Sequence, residues 1–335
     1  MKPVSANFLL NGVLAVAVAG LFCASLMWGE TSLPFMDALG DMAAGRHTAN
    51  AIILGELRLP RSLLAIMVGG TLGLSGAALQ GYLRNPLADP GVLGVSGGAA
   101  LGAVLVFYTG LMQLSIVALP LGGLVGALAA AATLMGLVGQ GGTLVLLLAG
   151  AALSSFTAAL TALALNLVPS PYASFEIMHW LMGSLTDRTF THVWISLPGV
   201  IVGIALMFSA ARALDALTLG EDVAESLGFR LRGSWGIQTR IVLGAALAVG
   251  SCVAVSGAIG FVGLVVPHLL RSLTGHQPSR LLLPSLLGGS CLLVLADMVV
   301  RVVAVGPELQ LGVLTALVGA PIFFARVIML KRNAS

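Results

Sequence analysis

The chain has 335 residues, of which 58% are hydrophobic and 9% charged. A soluble domain carries about 25% charge, so these few charges cannot cover a water-exposed surface of this size, and the chain reads as a polytopic membrane protein. The net charge of +3 gives no sign of a nucleic-acid partner.

Lys2 is followed by an apolar run from Phe8 to Trp28. That run is longer than the ~7–15-residue core of a cleaved signal peptide. Phe22 before Cys23 also argues against lipoprotein processing, so a retained first span is expected. Further apolar runs predict helices at 61–83, 92–108, 114–137, 143–167, 191–211, 239–257, 259–274, 281–303 and 309–330. The expectation is an all-α fold with about ten transmembrane helices, each near the ~20 residues that cross the hydrocarbon core. A barrel would instead alternate in segments of roughly ten residues. The apolar stretch 239–274 is too long for one span, at roughly 54 Å for 1.5 Å per residue, and Gly257, Gly260 and Gly263 offer the break.

Between the spans, the segments 29–60 and 168–190 are long enough to carry structure. The second opens Pro169-Ser170-Pro171 and reads as a short helix that re-enters the membrane or lies at its surface. A cytoplasmic N-terminus puts both lysines and most arginines inside, among them Arg212, Arg230, Arg232 and Arg271. The positive-inside rule then places both termini in the cytoplasm. The other two segments are periplasmic on that reading, and residues 1–335 form a single transmembrane domain without a convincing internal repeat.

Few residues carry chemistry. Cys23, Cys252 and Cys291 lie in apolar spans without CxxC spacing and read as packing residues. Lys2 and Lys331 are the only lysines. Neither follows the glycines of a phosphate-binding loop, so the chain is not expected to hydrolyse ATP by that route. No metal-ligand cluster or catalytic triad is placed, and His268 beside Pro267 reads as a satisfied buried group. Asp297 is the clear intramembrane acid, with Arg301 one turn on. Three readings stay open: an anchoring pair that snorkels to water, an ion site, or a docking role for Arg301.

Thr218 to Gly228 reads as a short water-exposed helix of about nine residues. Thr218 with Glu221 matches a capping box, Glu221 and Asp222 suit the first turn, and Gly228 suits the left-handed stop. Leu219, Val223 and Leu227 fall on one face with Ala224 beside them. So short a helix is marginal alone in water. It needs its apolar stripe packed on its own membrane helices or seated in a partner.

Several motifs in order resemble the permease subunits of ABC importers for iron chelates, haem and vitamin B12. They are Leu57-Arg58-Leu59-Pro60-Arg61, Ser75-Gly76-Ala77-Ala78-Leu79-Gln80, Asn85-Pro86-Leu87-Ala88-Asp89-Pro90-Gly91, the Gly220–Gly228 segment, Gly257 to Arg271, and Gly312 to Phe323. The resemblance implies a vitamin B12 importer permease-like fold in the bacterial inner membrane, a homodimer with the pathway at its interface, and a periplasmic substrate-binding protein. It implies two cytoplasmic ATPase subunits, which bind ATP-Mg and each seat the coupling segment: Thr218, Leu219, Gly220, Glu221, Val223, Ala224, Leu227 and Gly228. It implies that Arg58, Arg61 and Arg301 dock the binding protein. It implies that Ser154, Ser155, Phe156 and Thr157 line the pathway or gate, with no cofactor or metal held by this chain. The cargo implied is an iron–siderophore or haem, with cobalamin also open. The rival reading is a stand-alone secondary transporter or channel, which would need midplane charges or broken helices at coupling-ion sites.

Overall fold

The computed structural model describes residues 4–29, 32–139, 141–168, 170–303 and 309–334. Its elements in chain order are α1 (Val4–Met27), α2 (Phe35–Ala43), α3 (Ala49–Ile52), α4 (Leu59–Tyr82), α5 (Val95–Tyr108), α6 (Ala118–Val138), α7 (Thr143–Leu167) and α8 (Pro171–Leu181). There follow α9 (Phe190–Ser209), α10 (Ala211–Leu217), α11 (Glu221–Ser226), α12 (Ile237–Ser256), α13 (Val262–Arg271), α14 (Pro278–Val303) and α15 (Leu311–Ala334). No strand occurs among the described residues. Among the described residues, seven helices are long and apolar enough to cross a membrane, and three shorter apolar helices lie at the remaining expected spans.

Most predicted spans match to within a few residues, and three differences have physical causes. The helix expected from 61 begins earlier, because α3 runs through a π-turn (Ile53–Arg58) into α4. Pro60 has no N–H to donate to the preceding turn, and a widened turn accommodates that loss. The span expected at 92–108 starts at Val95, after a loop in which the Asn85 side chain accepts from the Leu87 amide and Asp89 from the Gly91 amide. The break expected near 258 is real, but α13 is only ten residues. At 1.5 Å per residue it covers about half of a ~30 Å hydrocarbon core.

The irregular stretch 257–261 therefore lies within the bundle. Gly257 and Phe261 both take positive φ (69° and 67°). Other protein backbone packs against this region, as membrane burial demands: a Cβ on Gly183 or Gly312 would strike the Ala258 carbonyl. The Ser184 amide donates to Ser256 O at 2.8 Å, and the Gly312 amide to Gly183 O at 3.2 Å.

Helices α4 and α12 form the buried centre, while α1 is almost wholly peripheral. Small residues make the central crossings close. A Cβ on Gly69 or Gly73 of α4 would strike the Gly289 or Ser285 carbonyl of α14, and one on Gly76 would strike the Gly263 carbonyl of α13. Gly98 and Gly102 of α5 meet Gly122 and Gly126 of α6 in the same way. Backbones that approach this closely gain packing that lipid does not supply, which accounts for much of the chain's glycine content.

Candidate functional site

The segment that leads from α10 to α12 departs from expectation at its start. Thr218 Oγ1 donates to Asp215 O at 2.7 Å, so the hydroxyl closes α10 rather than capping α11. The expected capping box is therefore absent. Gly220 is the N-cap (φ 114°, ψ 159°), and the helix is six residues long instead of about nine. Its end follows expectation. Gly228 has φ 86°, its amide donates to Glu225 O at 2.9 Å, and the Phe229 amide donates to Ala224 O at 3.1 Å. These two bonds are the Schellman pattern.

Leu219, Val223 and Leu227 are 66%, 42% and 60% exposed, whereas Ala224 is fully buried. Ala224 thus belongs to the core cluster and fastens the helix from behind, and the apolar stripe faces away from the chain's own spans. Val223 on α11, with Leu219 before its N-cap and Leu227 at its C-cap, thus leaves three large apolar side chains exposed together. Glu221 lies between Arg84 and Arg232, at 3.6 and 3.4 Å.

At the other end of the bundle, Arg58, Arg61 and Arg301 come together. Arg61 Nε donates to Asp297 Oδ1 at 2.8 Å, and Arg301 Nη2 pairs with Asp297 Oδ2. Arg301 Nη1 donates to Ser25 O at 3.1 Å, and Arg58 Nη1 donates to Leu26 O and Met27 O at 2.9 and 3.0 Å. Two guanidiniums therefore cap the last carbonyls of α1, the negative end of that helix. The expected i,i+4 pair forms, but Arg301 does not snorkel to water. It is 6% exposed because the α1 carbonyls offer acceptors in the protein. Gly29 leaves room for this arrangement, since a Cβ there would lie 2.7 Å from Arg58 Nη2.

The four α7 residues divide between two faces. Ser154 Oγ donates to Gly91 O at 2.7 Å and to Val92 O at 3.1 Å, which ties α7 to the loop before α5. Thr157 is buried and back-bonds to Ser154 O at 3.0 Å. Ser155 and Phe156 are exposed, and Phe156 joins Leu101, Leu105 and Val125 along an apolar groove between α5, α6 and α7. A second apolar groove, of about 570 Å³, is lined by Leu181, Met182, Ala258, Gly312, Ala316 and Ala320.

Sequence reasoning singled out neither Asp215 nor the contacts that Gln80 and Arg271 make. Gln80 Nε2 donates to Gly263 O at 3.1 Å and Gln80 Oε1 accepts from Arg271 Nη2 at 2.6 Å, which joins α4 to α13. In the loop after α4, burial pushes the Asp89 carboxyl above its ordinary range, and the hydrogen bond from the Gly91 amide opposes the shift. Among the described residues no three His, Cys, Asp or Glu side chains converge as metal ligands would.

A glycine-zipped bundle of ten apolar helices, with an apolar helix face presented beyond the spans, is a membrane permease in class. The family model of the FecCD transport family matches residues 16–331, and the chain belongs to that family. The cobalamin import system permease protein BtuC of Halobacterium salinarum is 40% identical over 326 residues, covering 96% of this chain and 84% of that protein. The Fe(3+) dicitrate transport system permease protein FecD of Escherichia coli is 37% identical over 312 residues, covering 92% and 95%. Among solved structures, an inward-facing ABC transporter assigned to the metal-chelate type matches with a TM-score of 0.81 at 29% identity, covering 96% of this chain and 99% of the other.

Proposed function

We propose that this chain is the membrane subunit of an ATP-driven importer, and that it carries a bulky metal chelate from the periplasm to the cytoplasm. An iron–siderophore or haem is the favoured cargo, and cobalamin is the third candidate. The single observation that carries the reading is the exposure of Leu219, Val223 and Leu227 on and beside a short helix sealed from behind by Ala224. A cytoplasmic ATPase subunit is the occupant such a stripe suits in this family. Two such subunits, binding ATP-Mg, would seat on a homodimer of the permease, with both termini of each copy in the cytoplasm.

Closure of the ATPases on ATP then carries the two short helices with it, and the spans rock to change which side the cavity faces. The chain makes and breaks no covalent bond. Apolar grooves with few polar groups suit this role, because a pathway that binds cargo tightly would not release it. Ser155 and Phe156 are the α7 residues placed to meet cargo or the second copy, and Ser154 and Thr157 position them. At the outer end, Arg61 is placed to meet acidic groups of the binding protein, while Arg58 and Arg301, buried and bonded to the α1 carbonyls, hold the cluster in place. Arg61 is the member whose side chain reaches the surface, at 14% exposure.

Co-purification with the ATPase subunit tests the reading. The triple variant Leu219→Asp, Val223→Asp and Leu227→Asp is expected to lose the ATPase while remaining a folded membrane protein. Undiminished association would overturn the assignment.

A further inference from the structure

We propose that Asp215 is the positioning residue that hands the motion of the 219–227 element to α14. The inference rests on reading that element as the ATPase seat. Asp215 Oδ1 accepts from the Ser279 amide at 2.8 Å, and Oδ2 accepts from Ser279 Oγ at 2.6 Å and from Gln277 Nε2 at 2.8 Å. Ser279 is the second residue of α14. A carboxylate from α10 therefore caps the N-terminus of a different, 26-residue helix, where free amides and the positive end of the helix dipole favour it. The main-chain carbonyl of the same residue accepts from the Thr218 amide at 3.1 Å and from its hydroxyl at 2.7 Å. One residue thus holds both the end of α10, next to Leu219, and the start of α14.

Beside the buried Ala224, which packs the short helix on the core, the other polar ties of that helix are softer. Glu221 meets Arg84 and Arg232 at 3.6 and 3.4 Å, with all three side chains partly exposed. Gly220 and Gly228 flank α11 in positive-φ conformations, and a Cβ at either would meet nothing within 4 Å. Force applied at the stripe therefore has its firmest hydrogen-bonded route backwards, through residues 218 to 215, into α14. From there it has a continuous physical path. α14 is interleaved with α4 at Gly69–Gly289 and Gly73–Ser285. The same helix bears Asp297 and Arg301 at its far end. α14 is one element that touches both the ATPase end and the docking end, and Asp215 is its attachment at the first.

The test uses the permease dimer assembled with its ATPase subunits in lipid, so no cargo is required. Spin labels at Val299→Cys of the two copies, with Cys23, Cys252 and Cys291 replaced by Ala, report the distance between the two α14 helices with and without ATP. The unmodified coupling segment is expected to give an ATP-dependent distance shift. Asp215→Ala is expected to keep ATPase association and ATP hydrolysis but to lose the shift. Asp215→Asn retains an acceptor for the Ser279 amide and should restore part of it. If Asp215→Ala is not recovered folded, the pair Gln277→Ala and Ser279→Ala removes both side-chain ties, leaving only the Ser279 amide on Oδ1, and should reduce the shift. The proposal is overturned by a full shift in the variants, by no shift in the parent, or by loss of ATPase association in Asp215→Ala. Failure of the Asp-substituted stripe to release the ATPase would instead sink the seat reading itself.

Discussion

The two polar ends of the bundle are built on opposite principles. At the arginine-cluster end, Asp297 is 1% exposed, and Arg58 and Arg301 are 6% exposed. Their bonds to one another and to the α1 carbonyls are short and specific. Charges withdrawn from water persist only when geometry and hydrogen bonds compensate their desolvation. At the coupling end, the Arg84–Glu221–Arg232 contacts are longer and partly exposed, where an ion pair contributes little. The contrast teaches that one end is built to hold a fixed shape. The other is held by softer polar contacts between two positive-φ glycines, with the buried Ala224 and the bonds of Asp215 as its firm attachments.

The comparison breaks first at Asp297. Asp297→Ala leaves Arg61 and Arg301 without their carboxylate, and a stability loss of about 3–5 kcal/mol is expected. Thermal unfolding in detergent measures it, and an unchanged transition would show that the buried cluster does not hold α1, α4 and α14 together. A smaller effect is expected at the hinge. Gly220 has a φ and ψ that side-chain-bearing residues avoid, yet a Cβ there meets nothing within 4 Å. Gly220→Ala should therefore cost about 1–3 kcal/mol through backbone strain alone. The readout is weaker binding of the ATPase subunit with little change in the unfolding transition of the spans. The smallest effect is expected for Glu221→Ala, within about 1 kcal/mol and vanishing at high salt. A larger, salt-independent loss would mean that Glu221 is a structural strut and that this end is held as rigidly as the arginine-cluster end.

Much of this was legible in the chain. Long apolar runs placed the spans because lipid demands about 20 residues of helix for each crossing. Gly228 announced the end of α11, and Leu219, Val223 and Leu227 announced a stripe. The start of α11 misled, because Thr218 satisfies the carbonyl three residues back rather than an amide ahead, a local competition that a capping pattern does not resolve. Ala224 looked like a neighbour of the stripe but is turned into the core. Asp215 carried no local signal, since its partners lie more than 60 residues away. The meeting of Arg61 with Asp297 was equally invisible, with 236 residues between them.

Composition, span spacing and the order of short motifs were enough by themselves to determine a ten-helix permease of this family, because the bilayer imposes length and polarity on each segment one at a time. Tertiary structure alone decided which charges pair, which face of α7 is open, and which residue joins α10 to α14. Those outcomes depend on how helices cross, and in lipid the crossings are set by close glycine contacts between segments far apart in the chain.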